Sequence, residues 1–229
     1  MKICGLQKMT LLDYPGHVAC TVFLGGCNYR CPYCHNFELA TGEAEPLMKP
    51  EELMSFLEKR HGLLDGVAIT GGEPCLQADL PDLIRQIKAL GFKVKLDTNG
   101  AFPKMLDRLL SERLPDYVAM DIKNSPGRYA ETVGKEQTDL APVRESVRLL
   151  MASETEYEFR TTVVDELHTN EDILAIGKWI QGAKKYFLQR FTDRDTVPFE
   201  GFHAPGDEKM HRFLETVRPY VQHAELRGM

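Results

Sequence analysis

No run of about 18 consecutive apolar residues occurs anywhere in the 229-residue chain, which argues against a membrane-spanning helix. The opening stretch, Met1-Lys2-Ile3-Cys4-Gly5-Leu6-Gln7-Lys8, lacks the apolar core of a secretory signal, so a cytoplasmic location is expected. Basic excess is missing too: 28 Lys and Arg stand against 34 Asp and Glu, a net charge of -6. Nucleic-acid binders usually carry surplus positive charge, so neither nucleic acid nor membrane is expected as a partner. There is no low-complexity tract, no linker and no useful repeat, and residues 1–229 read as a single domain. With 43 % hydrophobic residues the chain can build a sizeable core without disulfide staples.

Short apolar runs alternate with helix-period segments. Strands are predicted over residues 17–24, 66–70, 93–97, 117–121, 157–164 and 185–191, with a short last strand at 224–227. Helices are predicted over 50–59, 80–90 (closed by Gly91), 103–112, 140–151, 171–181 and 207–220. Six strand–helix units in succession imply an α/β fold with a parallel sheet and right-handed crossovers. Six is fewer than the eight of a closed (β/α) barrel, so an open doubly wound sheet and a partial barrel both fit.

Parallel sheets place chemistry at the carboxyl ends of their strands. Four polar motifs lie there: the cysteines after the first predicted strand, Gly71-Gly72-Glu73-Pro74 after the second, Asp97-Thr98-Asn99-Gly100 at the third and Asp121-Ile122-Lys123 at the fourth. Taken singly, the second and third motifs could be turns, and Asp121 with Lys123 a solvated ion pair. Arg160 could equally be a strand-edge ion pair or a substrate contact. Their convergence on one sheet end favours a site.

Cys27-x-x-x-Cys31-x-x-Cys34 lies in a loop with Gly25, Gly26 and Pro32. Thiolates suit zinc, copper(I) or iron–sulfur clusters. A closed zinc site wants four ligands, which His35 or Cys20 would have to complete. Three thiolates on a four-iron cube leave one iron without a protein ligand and open to a small molecule. Cys4 and Cys75 read as ordinary thiols, and Trp179 as core.

This spacing, with Tyr33 before the third cysteine, resembles the radical S-adenosylmethionine (SAM) superfamily. Asp13-Tyr14-Pro15-Gly16 and Gly26-Cys27-Asn28-Tyr29-Arg30-Cys31-Pro32-Tyr33-Cys34-His35-Asn36 are similar to the glycyl-radical-enzyme activases. Leu6-Gln7-Lys8, Leu96-Asp97-Thr98-Asn99-Gly100, Ala119-Met120-Asp121-Ile122-Lys123 and Glu158-Phe159-Arg160-Thr161-Thr162-Val163 resemble most the subgroup that activates anaerobic ribonucleoside-triphosphate reductase. The resemblance implies a partial (β/α)6 barrel of radical SAM type, core 16–195, followed by an extension 196–229 with a C-terminal helix and short strand. It implies one [4Fe-4S] cluster on Cys27, Cys31 and Cys34, with SAM on the open iron. Tyr33 would lie against the adenine, and Gly71, Gly72 and Glu73 would take the methionyl ammonium. Asp121 and Lys123 would bind the ribose and carboxylate region, helped by Asp97 and Thr98, with a monovalent cation as an optional third party. The implied partners are a glycyl radical enzyme, anaerobic ribonucleotide reductase first, and an electron donor such as flavodoxin or ferredoxin. Some activases carry a His at the end of the sixth strand; here that region reads Leu188-Gln189-Arg190-Phe191. Competing readings are a radical SAM enzyme acting on a small molecule, and a zinc or electron-carrier module with no catalysis.

Overall fold

The computed structural model describes residues 1–229. Eight strands form one sheet in sequence order: β1 (Ile3–Thr10), β2 (Ala19–Leu24), β3 (Gly66–Gly71), β4 (Lys93–Thr98), β5 (Tyr117–Asp121), β6 (Glu156–Val163), β7 (Lys185–Arg190) and β8 (His223–Arg227). β1 runs antiparallel to β2, and every later pair is parallel. β1 and β8 do not pair with each other, so the sheet stays open. The helices are α1 (Phe37–Thr41), α2 (Pro50–Glu58), α3 (Leu80–Ala89), α4 (Pro103–Ser111), α5 (Tyr129–Thr132), α6 (Ala141–Ala152), α7 (Asn170–Trp179) and α8 (Asp207–Val217). None is long and apolar enough to cross a membrane.

Period-two alternation divides the sheet into two chemically different faces. Cys20, Val22 and Leu24 of β2, Val67 and Ile69 of β3, Val94 and Leu96 of β4, and Val118 and Met120 of β5 all belong to the main apolar core. They meet the buried stripes of the helices, such as Leu80, Leu83, Ile84 and Ile87 of α3. Residues in the opposite register are polar: Thr21, Thr70, Asp97, Asp121, Arg160, Thr162 and Gln189 all line one cavity. Helix termini use local signals. α3 carries Pro81 in its first turn and ends before Gly91, whose φ is +87°. α7 begins at a reciprocal capping box between Thr169 and Asp172.

The sheet is curled into a trough. In a flat sheet β2 and β7 would stand about 24 Å apart, five steps of about 4.8 Å. Yet Tyr33, beyond β2, packs edge-on against Phe191, beyond β7, with ring centroids 6.3 Å apart. At the other end of the trough Tyr14, Ala19 and Tyr117 form a small separate cluster. The Tyr14 ring covers Gly66, where a Cβ would stand only 2.9 Å from a ring carbon.

The six main predicted strands correspond to β2–β7 and the short last one to β8. The long predicted helices correspond to α2, α3, α4, α6, α7 and α8, the last of these giving way to a 3-10 turn at Arg218–Tyr220. The partial α/β barrel is present, framed by an additional antiparallel edge strand. β1 was not predicted because Gly5 and Lys8 break its alternation. α1 and α5, with five and four residues, are too short to show a helical period.

β8 is fastened across the trough by Arg227. Its guanidinium pairs bidentately with Glu158 of β6 (2.6 and 2.8 Å) and lies over the Phe187 ring. Tyr117 adds a third hydrogen bond to the same carboxylate, whose side chain is wholly buried. Burial works to raise the Glu158 pKa, but Arg227 outweighs it and the group sits below the ordinary carboxylate range. Its contribution is therefore present at neutral pH and is lost as pH falls through that depressed pKa. Glu158→Ala should destabilise the protein by about 3–5 kcal/mol, because a charge is left without its partner. Urea unfolding measures the loss. Amide exchange should quicken first at residues 223–227, and unchanged protection there would refute the role given to this pair.

Candidate active site: the cysteine loop and the strand ends

A cavity of about 470 Å³ opens at the carboxyl ends of β2–β7. Every site residue expected from the sequence lines it: Cys27, Cys31, Cys34, Tyr33, Gly71, Gly72, Glu73, Asp97, Thr98, Asp121, Lys123 and Arg160.

The cysteine loop is pinned by backbone contacts. Gly26 N–H donates to Leu39 O (2.7 Å), Cys27 N–H to Ala40 O (3.1 Å) and Arg30 N–H to Val133 O (3.0 Å). On the sheet side, Gly72 N–H donates to Leu24 O and Glu73 N–H to Gly26 O, both at 2.8 Å. Gly71 adopts φ +114°, and a Cβ there would overlap the backbone of Leu24. A Cβ on Gly72 would overlap the carbonyl of Gly26. Both glycines are thus required by close approach of two backbones.

All six cysteines are free thiols. Burial pushes the Cys31 thiol up to about 12 and raises Cys27 and Cys34 as well. Thiols held protonated in this way release their protons to solvent when a soft metal binds in their place. Tyr29 N–H donates to Cys27 Sγ (3.4 Å), and Asn99 Nδ2 lies 3.8 Å from the same sulfur. Such donors tune the sulfurs of an iron–sulfur cluster. The candidates for a fourth zinc ligand are engaged elsewhere. Cys20 is fully buried on the helix-facing side of β2, and His35 donates from Nε2 to Thr192 O (2.6 Å) while stacking on Phe191. No three His, Cys, Asp or Glu side chains converge as they would on a single ion. Three thiols around one polar cavity fit a cluster with one open iron better than a closed mononuclear site.

Glu73 is almost completely buried, and both its oxygens are occupied. Oε1 accepts from Cys75 N–H (2.9 Å) and Thr98 Oγ1 (2.7 Å), and Oε2 accepts from Asn99 N–H (2.6 Å). Burial nevertheless raises its pKa above the ordinary value. One lone-pair direction of four remains for a ligand. Glu73 therefore braces the end of β3 against the end of β4 as well as lining the cavity.

Asp97, Asp121 and Arg160 form one network. Arg160 donates from Nη2 to Asp97 (2.9 Å) and from Nε to Asp121 (2.5 Å). Lys123 pairs with the other oxygen of Asp121 (2.7 Å), and Lys95 with the other oxygen of Asp97. Burial opposes ionisation throughout, but the pairing outweighs it. Asp97 and Asp121 are held below the usual carboxylate range, and Lys123 and Arg160 well above theirs. Within this network Lys123 has one carboxylate partner and Arg160 two, so Lys123 keeps donors free for a carboxylate-bearing ligand. Arg160 has both faces of its fork engaged and is a clamp between strands β4 and β5.

The Tyr33 hydroxyl is buried at the cavity without a partner in the protein. A buried hydroxyl left unpaired is costly, and a ligand in the cavity would satisfy it. Lys95 and Arg194 were not singled out in the sequence, Asn99 and Thr162 entered only within their motifs, and Gln189 stood beside Arg190 as a candidate replacement for the His that some activases carry. For Lys95 the signal was available, since it stands two residues before Asp97 and must share its face. Gln189 points into the cavity, whereas Arg190 turns out to pair with Asp207 of α8 (2.7 Å). Gln189 is therefore the side chain at the end of β7 that faces the site. The segment after β7 returns over the mouth. His203 O accepts from Asp165 N–H, His203 pairs with Glu166, and Phe199 meets Phe37 with centroids 5.6 Å apart.

The radical SAM superfamily model matches residues 21–180, which contain every site residue expected from the sequence, from Cys27 to Arg160. The chain belongs to the radical SAM superfamily, among its glycyl-radical-enzyme activating enzymes. It is 31 % identical over 232 residues to a Methanocaldococcus jannaschii protein whose name places it in that group, covering 98 % of this chain and 95 % of that one. It is 27 % identical to the pyruvate formate-lyase-activating enzyme of Listeria monocytogenes, covering 94 % and 96 %. The fold is shared with a domain of a pyruvate formate-lyase-activating enzyme from Bacteroides vulgatus, with TM-score 0.59 and 16 % identity over 71 % of this chain and 99 % of that one. Membership implies a [4Fe-4S] cluster and SAM as cofactors, and the geometry above accommodates both.

Gly72→Ala should separate the two walls of this radical SAM site. The added methyl must displace the Gly26 carbonyl, so iron retained after anaerobic reconstitution should fall several-fold while the far-ultraviolet circular dichroism stays close to wild type. Full iron retention would show that the approach of the two backbones is not needed.

Proposed function

We propose that this enzyme reductively cleaves SAM and uses the resulting radical to install a glycyl radical on a partner enzyme, with anaerobic ribonucleoside-triphosphate reductase as the first candidate. The observation that carries the reading is the gathering of three free thiols and the polar ends of β3–β6 in one cavity. When bound, the cluster would supply one electron to the SAM sulfonium, giving methionine and a 5′-deoxyadenosyl radical that takes a hydrogen atom from the partner's glycine.

The chain's own residues would then divide the work of holding SAM. Cys27, Cys31 and Cys34 would hold the cluster. Lys123 would pair with the methionyl carboxylate, a charge-assisted contact supported by its place in the cavity and by its single carboxylate partner. The remaining lone pair of Glu73, with the backbone of Gly71 and Gly72 beside it in the cavity lining, would take the methionyl ammonium. Tyr33 would offer its ring to the adenine, and Asp97, Thr98 and Asp121 would contribute around the ribose. A monovalent cation is left out of the proposal, because Lys95, Arg160 and Lys123 already neutralise Asp97 and Asp121. The trough between β1 and β8 leaves room for an extended segment of a macromolecule to bring its glycine into the near contact that hydrogen abstraction requires. The cytoplasm is the proposed setting, with oxygen excluded because one iron is open.

The choice of reductase rests on the resemblance of Leu6-Gln7-Lys8, Leu96-Asp97-Thr98-Asn99-Gly100, Ala119-Met120-Asp121-Ile122-Lys123 and Glu158-Phe159-Arg160-Thr161-Thr162-Val163 to that subgroup. The pyruvate formate-lyase activases among the relatives favour a second reading, in which another glycyl radical enzyme is the partner. The test is anaerobic reconstitution followed by reduction with dithionite. Wild type should bind about four irons per chain, the content of one cubane cluster, and convert SAM to 5′-deoxyadenosine, and Cys31→Ala should not. The reduced enzyme with SAM and the reductase should give the electron paramagnetic resonance doublet of a glycyl radical. SAM cleavage without that doublet would reject the reductase and turn attention to the second partner. No iron uptake at all would reject the cluster.

A further inference from the structure

One surface of the molecule is bound to the cysteine loop yet does not face the cavity. Arg30 lies between Cys27 and Cys31 with its side chain exposed, and its Nη1 donates to Cys27 O (2.7 Å) and Tyr29 O (2.8 Å). Lys135 is exposed, with its ammonium 5.3 Å from the centre of the Tyr29 ring. From Tyr29 a line of aromatic rings leads outwards. Tyr29 meets Tyr129 edge-on at 6.4 Å between centroids, and Tyr129 meets Trp179 in the same way at 6.1 Å. Trp179 is half-buried, and the guanidinium of exposed Arg144 caps it at 5.2 Å. The chain thus presents three exposed cations, each seated on this aromatic line or on the backbone beside it. The line ends at Tyr29, whose N–H donates to Cys27 Sγ.

The charge around the three cations sharpens the contrast. The chain as a whole carries a net charge of -6. Nearby Glu131 is occupied by Arg128, and Glu145 by Arg148. That leaves Glu136 and Asp139 as the carboxylates without an ion pair in this stretch, and Asp139 accepts from Ala141 N–H. Gly134 packs its backbone onto Arg30 O so closely that a Cβ would overlap it, which fixes Lys135 next to the cysteine loop.

We propose that Arg30, Lys135 and Arg144 form the docking patch for an acidic one-electron carrier protein, which delivers its electron to the cluster from the side opposite SAM. This rests on the function proposed above and names where its reductant binds. The patch is separate from the cavity: none of the three cations lines it. SAM and the partner's glycine can therefore occupy the cavity while the carrier is bound outside. In the transfer the carrier is oxidised by one electron and the cluster reduced by one, and no bond in the protein forms or breaks. The rings of Trp179, Tyr129 and Tyr29 join Arg144 to the loop through successive edge-on contacts. Complementary charge chiefly accelerates encounter and fixes orientation, and it weakens with salt.

The experiment uses the full, reconstituted chain and a flavodoxin of strongly negative charge. Its dissociation constant is measured by titration calorimetry at low and high salt. SAM cleavage is measured in parallel with reduced flavodoxin and with dithionite. In Lys135→Glu/Arg144→Glu, flavodoxin binding at low salt should weaken by about tenfold or more and lose most of its salt dependence. Flavodoxin-driven cleavage should fall with it, while dithionite-driven cleavage and the cluster's electron paramagnetic resonance signal stay as in wild type. Arg30→Gln, which keeps a donor for the Cys27 carbonyl, should weaken flavodoxin binding by a smaller factor. Unchanged binding in the double variant would overturn the proposal. An equal loss with both reductants would overturn it too, because the patch would then be serving the loop or the partner enzyme. If wild type fails to cleave SAM with dithionite, it is the parent function that fails; the binding titration still decides the patch.

Discussion

The cysteine loop is held to the sheet at one point of backbone contact, where Gly71 and Gly72 come against Leu24 and Gly26 and Glu73 closes the junction. The N–H of Glu73 reaches the cysteine loop, and its carboxylate reaches the end of β4 through Thr98 and Asn99. Asn99 in turn donates to Asn28 Oδ1 (2.8 Å), beside the first cysteine. Three strand ends are thereby tied into one unit by a single buried residue. Hydrogen bonds to a charged group contribute roughly 1.5–3 kcal/mol each, which is enough to offset much of the cost of burying this carboxylate. Without this junction the thiols would belong to a free loop, and a cluster would find no fixed seat.

The second constraint is electrostatic. Asp97, Asp121, Lys95, Lys123 and Arg160 come from three adjacent strands and lie in the same register of the pleat. Each carboxylate is shared between two cations, which holds the array in one arrangement. Charges fixed in this way are already oriented toward a polar ligand, with no rearrangement needed. The polar face of the sheet is thus the working face, and the apolar face is what lets the sheet fold against its helices.

The central strands, their helices and the four strand-end motifs were legible because each announces itself locally. Alternation marks β2–β7, helical spacing marks α3 and α4, and the cysteine spacing is specific. β1 was hidden by Gly5 and Lys8, although it supplies Gln7 to the cavity. Gln189 and Arg190 could not be told apart by inspection, since either could face inwards; the pairing of Arg190 with Asp207 separates them. Arg160 had two readings in the sequence, and its two carboxylate partners place it as a clamp.

By itself the sequence determined the fold class, the clustering of Cys27, Cys31 and Cys34 in a spacing suited to a soft metal, and the end of the sheet where they lie. These depend on local spacing and strand order, which the chain carries in one dimension. Only the tertiary structure decided which charges neutralise which, that Glu73 braces two strands, and which side of the cysteine loop faces the cavity and which faces solvent. Those facts depend on the curl of the sheet and on contacts between residues dozens of positions apart. Such contacts follow from packing the whole chain, and no stretch of it encodes them alone.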